Sequence, residues 1–172
     1  MKLLLAFFLI IFFSSCSLMR TKSASDRPSG KKISDLEAIL DRAEENASPQ
    51  GKSILSVGRS MVTDREIVVG SCWDYINTVY NRANFPPNKR TIVLKSKKKG
   101  PFAKIDRIEP GDWLYYINHS YSRVEHSGIF VEWVNRDKKS AVVMSYQGGK
   151  KKSSATYKIY DLKNVYYIIR PE

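Results

Sequence analysis

Apolar positions along the chain change rhythm near its middle. Up to about residue 83 they recur at three- and four-residue intervals, and from about residue 112 they fall in short blocks bounded by turn residues. The first rhythm is that of helices buried along one face, the second that of strands. In "SDLEAILDRAEENA", Leu36, Ile39, Leu40 and Ala43 share one helical face, and Ser34 is placed to cap the first turn. "SPQG" (Ser48 to Gly51) breaks this helix. A second is expected from Ser53 to about Thr63 on Ile54, Leu55, Val57, Met61 and Val62. Gly70 and Ser71 open a third, Cys72 to Ala83, with Trp73, Ile76, Val79 and Tyr80 at helical spacing. Two successive prolines in "NFPPNKR" end it.

Past the basic run "KSKKKG" a Pro-Gly-Asp turn leads into an aromatic strand, Trp113 to Ile117. "HSGIFVEWVN", "SAVVMSYQ", "ATYKIYD" and "VYYIIRP" read as four more. Helices first and then a meander of antiparallel strands predicts an α+β domain, its N-terminal helices packed on a sheet of about five strands.

The N-terminus follows neither rhythm. Leu3 to Phe13 is unbroken apolar sequence after a lysine, too short for a comfortable bilayer span and placed where a signal peptide's apolar region belongs. "FSSC" then puts small residues before Cys16, and the whole resembles a bacterial lipoprotein signal, with residues 1–15 removed and Cys16 lipidated. An ordinary cleaved signal peptide or an uncleaved anchor are the alternatives. Residues 16–32, rich in Ser, Lys, Arg, Pro and Gly, read as a flexible tether, and 33–172 as one domain with a single core. The expected location is the periplasmic side of a bacterial membrane, the outer one before the inner, held through the lipid anchor.

Export changes the meaning of the cysteines and of the charge. The chain has two cysteines; with Cys16 lipidated, Cys72 is an unpaired thiol in an oxidising compartment, which calls for a reason. With two histidines and one remaining cysteine no zinc-spaced cluster exists, so neither a metal nor another cofactor is expected. The net charge is +12, from 29 Lys and Arg against 17 Asp and Glu. No nucleic-acid-binding motif accompanies it, and in an exported chain the anticipated counterparts are anionic envelope polymers and lipid head groups. The basic residues cluster in two loops, Lys95 to Gly100 and Gly148 to Ser154, and Lys97, Lys98 and Lys99 could help to hold an acidic glycopeptide. The same runs also read as plain solvated loops.

A cysteine nucleophile acts as the thiolate, which a helix N-terminus and a neighbouring histidine both favour. Cys72 stands at a predicted helix start. The helix dipole supplies only about 0.3–1 kcal/mol, so a histidine must do most of the work. His119 lies in the polar stretch "INHSYSR"; His126 opens the strand "HSGIFV", where it is held firmly and its small neighbours leave room for a substrate. His126 is the better base.

The Cys72 helix, then "PGDWLYY", then "HSGIFV", then a further strand resemble in order the NlpC-type branch of the papain-like cell-wall hydrolases. The Cys-to-His separation, 126 − 72 = 54 residues, is in keeping, and the resemblance runs from about Ile54 to Pro171. It implies a papain-like domain with Cys72 as nucleophile and His126 as general base, acting on peptidoglycan stem peptides; separately, the chain is expected to act as a monomer. The third polar residue of that family sits on the strand after the histidine strand. Gln147 is the choice there, because its amide oxygen can accept from the imidazole, and Ser145 on the same face is the fallback. The sequence departs from the family at the site entrance. Ser71, Trp73 and Asp74 flank the thiol where a small Ser-Gly pair and an upstream Tyr-Asp are usual, so these three are the candidate substrate contacts. Two other readings stay open: a catalytically inactive relative that binds an envelope polymer or a partner, and a structural lipoprotein.

Overall fold

Three helices and then six strands follow one another in the computed structural model of the chain, which describes residues 28–119, 122–151 and 153–172. The apolar leader and Cys16, on which the readings of signal peptide, lipidation and membrane anchorage rest, lie outside the described residues. Among the described residues no helix is long and apolar enough to cross a membrane.

Helix α1 spans Pro28–Asn46 and so begins inside the stretch read as tether. Proline is accommodated in a first helical turn, where its missing N–H is not needed. Helix α2 spans Pro49–Thr63. The "SPQG" read as a break is also its start: Ser48 is the N-cap, its Oγ accepting from Gly51 N–H at 3.0 Å, and Pro49 occupies the first turn. Gly51 has to be small, because a Cβ there would lie 2.3 Å from the carbonyl oxygen of Pro110 in the Pro-Gly-Asp turn. Helix α3, Cys72–Arg82, keeps its expected start.

The strands are β1 Arg90–Lys95, β2 Trp113–Asn118, β3 Val124–Asn135, β4 Ser140–Ser145, β5 Thr156–Asp161 and β6 Val165–Pro171. They form one antiparallel sheet in the order β1-β6-β2-β3-β4-β5. The sheet therefore has six strands rather than about five. The added strand, β1, is a half-exposed edge squeezed between a proline turn and a lysine run, and among the described residues it pairs only with β6 at the other end of the chain. Its own few apolar residues give little sign of that partner.

The short link from β5 to β6 shapes the whole sheet. The two strands are four places apart in the order, about 19 Å in a flat sheet. The chain from Asp161 to Val165 reaches about 14 Å at most when extended. The sheet must curl, and the side chains on its concave face, Leu114, Tyr116, Phe130, Val143, Tyr160, Leu162, Val165 and Ile168, form one core cluster. The convex face carries Trp113, Ile129, Val131, Val142 and Met144 against Leu40, Ile54, Met61, Ile76 and Val79 of the helices. Both faces of the central strands are thus covered, which is why every residue of β4 after Ser140 is buried. The Pro-Gly-Asp turn is fastened by a buried carboxylate: Asp112, 1% exposed, accepts from Nε and Nη2 of Arg170 on β6, both at 2.8 Å.

Candidate active site

The thiol side of the site is made locally. Ser71 is the N-cap of α3 and Asp74 closes a capping box. Ser71 Oγ accepts from Trp73 N–H at 3.2 Å, and Asp74 accepts from Ser71 N–H at 2.7 Å and from the Ser71 hydroxyl at 2.8 Å. Those hydrogen bonds hold the Asp74 carboxyl below the usual range, first among them the one from the Ser71 backbone. Gly70 enters the turn at φ +124°, a conformation side chains resist, and a Cβ there would lie 2.3 Å from the Asp74 carboxylate. Cys72 is the first residue of the helix that follows and is half-buried.

A second clamp ties this loop to the sheet. Tyr146, just past the end of β4, donates its hydroxyl to Val68 O at 2.6 Å and accepts from Val68 N–H at 3.1 Å. Its ring stacks on Tyr75 of α3, centroids 4.4 Å apart. Gly149 N–H donates to Gly70 O at 2.9 Å, so the basic loop that starts at Gly148 leans on the approach to Cys72.

The imidazole side is made by the sheet. His126 lies in β3 opposite Tyr116 of β2, whose ring meets the imidazole edge-on at 5.7 Å. His126 Nε2 is 2.9 Å from Ser145 Oγ, and Ser145 Oγ is 2.8 Å from the Tyr160 hydroxyl of β5. With Nε2 so engaged, Nδ1 is the nitrogen left for the sulfur. Ser127, the neighbour of His126 on the opposite face of β3, donates its hydroxyl to Cys72 Sγ at 3.5 Å. Burial pushes the Cys72 thiol up. Hydrogen bonds with His126 and Ser127, and the charge of the imidazole, outweigh it and bring the thiol from the ordinary 9.0 down to about 7.

The structure thus brings Cys72, His126 and Ser145 together and leaves Gln147 aside. Gly128 pairs with Ser145, so an uninterrupted ladder would set Gln147 directly across from His126. The ladder stops at Ser145 and the chain turns away through Gly148 at φ +100°, leaving Gln147 exposed. Ser145 then reaches the imidazole diagonally, past Gly128. A Cβ on Gly128 would lie 2.4 Å from Val143 Cγ1 and 2.8 Å from Met144 O. His119 is exposed at the end of β2, and its Nε2 lies 2.5 Å from Asn164 Oδ1.

Of the three candidate substrate contacts, Ser71 and Asp74 are bound to each other in the cap. Trp73 is 45% exposed beside the thiol, its ring 5.7 Å from that of Trp113 and its side chain hydrogen-bonded to Tyr115. Val69, three residues before the thiol in the chain, is 92% exposed. Lys98 pairs with Glu125, the neighbour of His126, so one lysine of the first basic run borders the site. Among the described residues no three His, Cys, Asp or Glu side chains are grouped to hold a metal ion. Tyr160 was not among the residues the sequence pointed to; its signal, a tyrosine in the strand after β4, is one of many in this chain.

No family model and no curated protein matches the sequence. Among solved structures the chain is similar to a wild-type endolysin, LysIME-EF1, at 18% identity and a TM-score of 0.43. The alignment covers 69% of this chain and 63% of that one, so the chain spans less than two thirds of its length. A superposition at that level fixes neither a fold family nor an activity.

Proposed function

We propose that the protein is a papain-like thiol hydrolase in which Cys72 is the nucleophile, His126 the general base and Ser145 the residue that orients the imidazole. One observation carries this reading: a half-buried thiol at a helix start, contacted by the Ser127 hydroxyl from the strand that carries His126, and drawn down to about 7 by those two residues although burial acts against it. At neutral pH a large part of it is thiolate, where an ordinary cysteine is almost wholly protonated.

The chemistry follows from the pair. The thiol proton passes to His126 Nδ1 and the sulfur attacks an amide carbonyl carbon. The C–N bond breaks as His126 returns that proton to the departing amine, leaving a thioester. His126 then takes a proton from water, whose oxygen attacks the thioester and releases the acid and the thiol. The Cys72 N–H lies in the first turn of α3, where backbone donors have no intrahelical acceptor, and is suited to stabilise the oxyanion. The substrate proposed is the peptide part of peptidoglycan, which rests on the order of motifs in the sequence. The entrance offers it Trp73 rather than a free carboxylate, because Asp74 is held in the helix cap.

The first test is the pH dependence of Cys72 alkylation by iodoacetamide on the full chain, wild type and His126→Ala. A wild-type midpoint near 7 that rises to that of an ordinary thiol in the variant supports the pair. The same ordinary midpoint in both proteins, or a thiol unreactive in both while folded, removes the enzyme reading and leaves an inactive relative that binds an envelope polymer or a partner, or a structural lipoprotein. New free amines released from isolated peptidoglycan by wild type but not by Cys72→Ala then support the substrate class.

A further inference from the structure

The hydrogen-bonded line from His126 does not end at Ser145. Ser145 Oγ is 2.9 Å from His126 Nε2 and 2.8 Å from the Tyr160 hydroxyl, with Ser145 2% and Tyr160 8% exposed. The Tyr160 ring is held in place by Tyr116, centroids 5.4 Å apart, and by His126 itself at 5.9 Å. Serine is an unusual companion for such an imidazole, because its hydroxyl can either accept or donate. Only one direction serves the chemistry. When the thiol proton has moved to Nδ1 the ring carries N–H on both nitrogens, so Nε2–H must donate to Ser145 Oγ. The single Ser145 proton then has to go elsewhere, and the Tyr160 oxygen is the acceptor in reach. The opposite direction, Ser145 donating to Nε2, puts the neutral ring's proton on Nδ1, where it cannot receive one from sulfur.

We propose that Tyr160 is a positioning residue of the site: by accepting the Ser145 proton it makes Ser145 a pure acceptor toward His126 and so fixes the tautomer whose open nitrogen faces Cys72. This rests on the Cys72–His126 reading above. No proton travels beyond the imidazole; the Ser145 and Tyr160 hydroxyls keep theirs. The titratable groups against this line are the Cys72 thiol from α3, the phenols of Tyr115 and Tyr116 from β2, and the Tyr160 phenol from β5. The Glu125–Lys98 ion pair lies one residue along β3.

Tyr160→Phe leaves the packing and removes the acceptor. In the ion-paired state the buried Ser145 hydroxyl then has nowhere to donate, so that state is disfavoured. The test is iodoacetamide alkylation of the full chain across pH for wild type, Tyr160→Phe, Ser145→Ala and the double variant, with a thermal melt of each. The Tyr160→Phe midpoint is expected to rise by about one pH unit, about tenfold less thiolate well below the midpoint. In the Ser145→Ala background, Tyr160→Phe is expected to shift nothing further, since its effect passes through Ser145. Ring 15N spectra of wild type, assigned with His119→Gln, are expected to show neutral His126 protonated at Nε2, and those of Tyr160→Phe a gain of the Nδ1–H form. An unchanged midpoint in a folded Tyr160→Phe, or equal shifts with and without Ser145, overturns the proposal. So does an Nδ1–H ring in wild type, a result that needs no variant to fold. If His126→Ala leaves thiol reactivity untouched, the hydrolase reading itself has failed; if His126→Ala abolishes the shift while Tyr160→Phe does nothing, only this role of Tyr160 has.

Discussion

The two halves of the candidate site are held by opposite kinds of structure. The thiol half is local and exposed: Gly70, Ser71 and Asp74 make a capping box within five consecutive residues, and Cys72 follows from it. The imidazole half is non-local and rooted in the core: half-buried His126 and buried Ser145 and Tyr160 come from three strands, 19 and 15 residues apart. They meet only because β3, β4 and β5 pair in register and the sheet curls. Local structure can be altered piecemeal, whereas a change in the sheet is transmitted to every strand that shares the register. The end of β4 joins the halves, since Ser145 reaches the imidazole and its neighbour Tyr146 holds the loop before Cys72.

The strongest way to break the imidazole half is Gly128→Ala. The new Cβ would press on Val143 and on the Met144 carbonyl, and the expected loss of stability is toward the top of about 1–3 kcal/mol, measured by urea unfolding. The same variant should displace Ser145 from His126 and raise the alkylation midpoint. Tyr146→Phe cuts the link between the halves. It leaves Val68 N–H and C=O without their partner and should cost about 1–2 kcal/mol, with Cys72 alkylated faster as the loop loosens. Ser71→Ala attacks the thiol half alone and should cost about 1 kcal/mol through the lost cap, with the Cys72 midpoint rising only slightly. A larger rise from Ser71→Ala than from Gly128→Ala would reverse the comparison.

The thiol also gives stability a pH dependence of known sign. Its folded value, about 7, is below the ordinary 9.0, so the ionised thiol favours the folded state. That contribution is fully present above 9 and is lost as pH falls through 7. Wild type should therefore gain stability over Cys72→Ala between pH 7 and 9, by a modest amount because the thiol is only half-buried. The smallest effect is expected from Lys97/Lys98/Lys99→Ala, within about 0.5 kcal/mol of wild type by thermal melt, since these are exposed charges. Loss of salt dependence in peptidoglycan binding by that variant would give the basic loop a role beyond solvation.

Much of the thiol half was legible before any fold was known. "GSCWD" carries its own cap, glycine turn and helix start, and each depends on neighbours a few residues away. The start of α2 was misplaced by the same kind of signal, because Ser-Pro-x-Gly is both an end and a beginning. Of the imidazole half, the sequence offered the histidine and its strand but ranked Gln147 above Ser145. Strand alternation treats the two alike, and what separates them is that the β3–β4 ladder stops at Ser145 and Gly148 turns the chain away. Tyr160 and the edge strand β1 carried no comparable local mark, one being a tyrosine among several in strands and the other a few apolar residues beside lysines.

The sequence by itself determined the order of helices before strands, the α+β class and the helix start that carries the thiol, because caps, turns and periodicities act between near neighbours. Only the tertiary structure decided the number of strands, the curl imposed by a three-residue link, and the partner of His126. Those depend on which strands pair and where each ladder stops, and residues far apart in the chain settle that together.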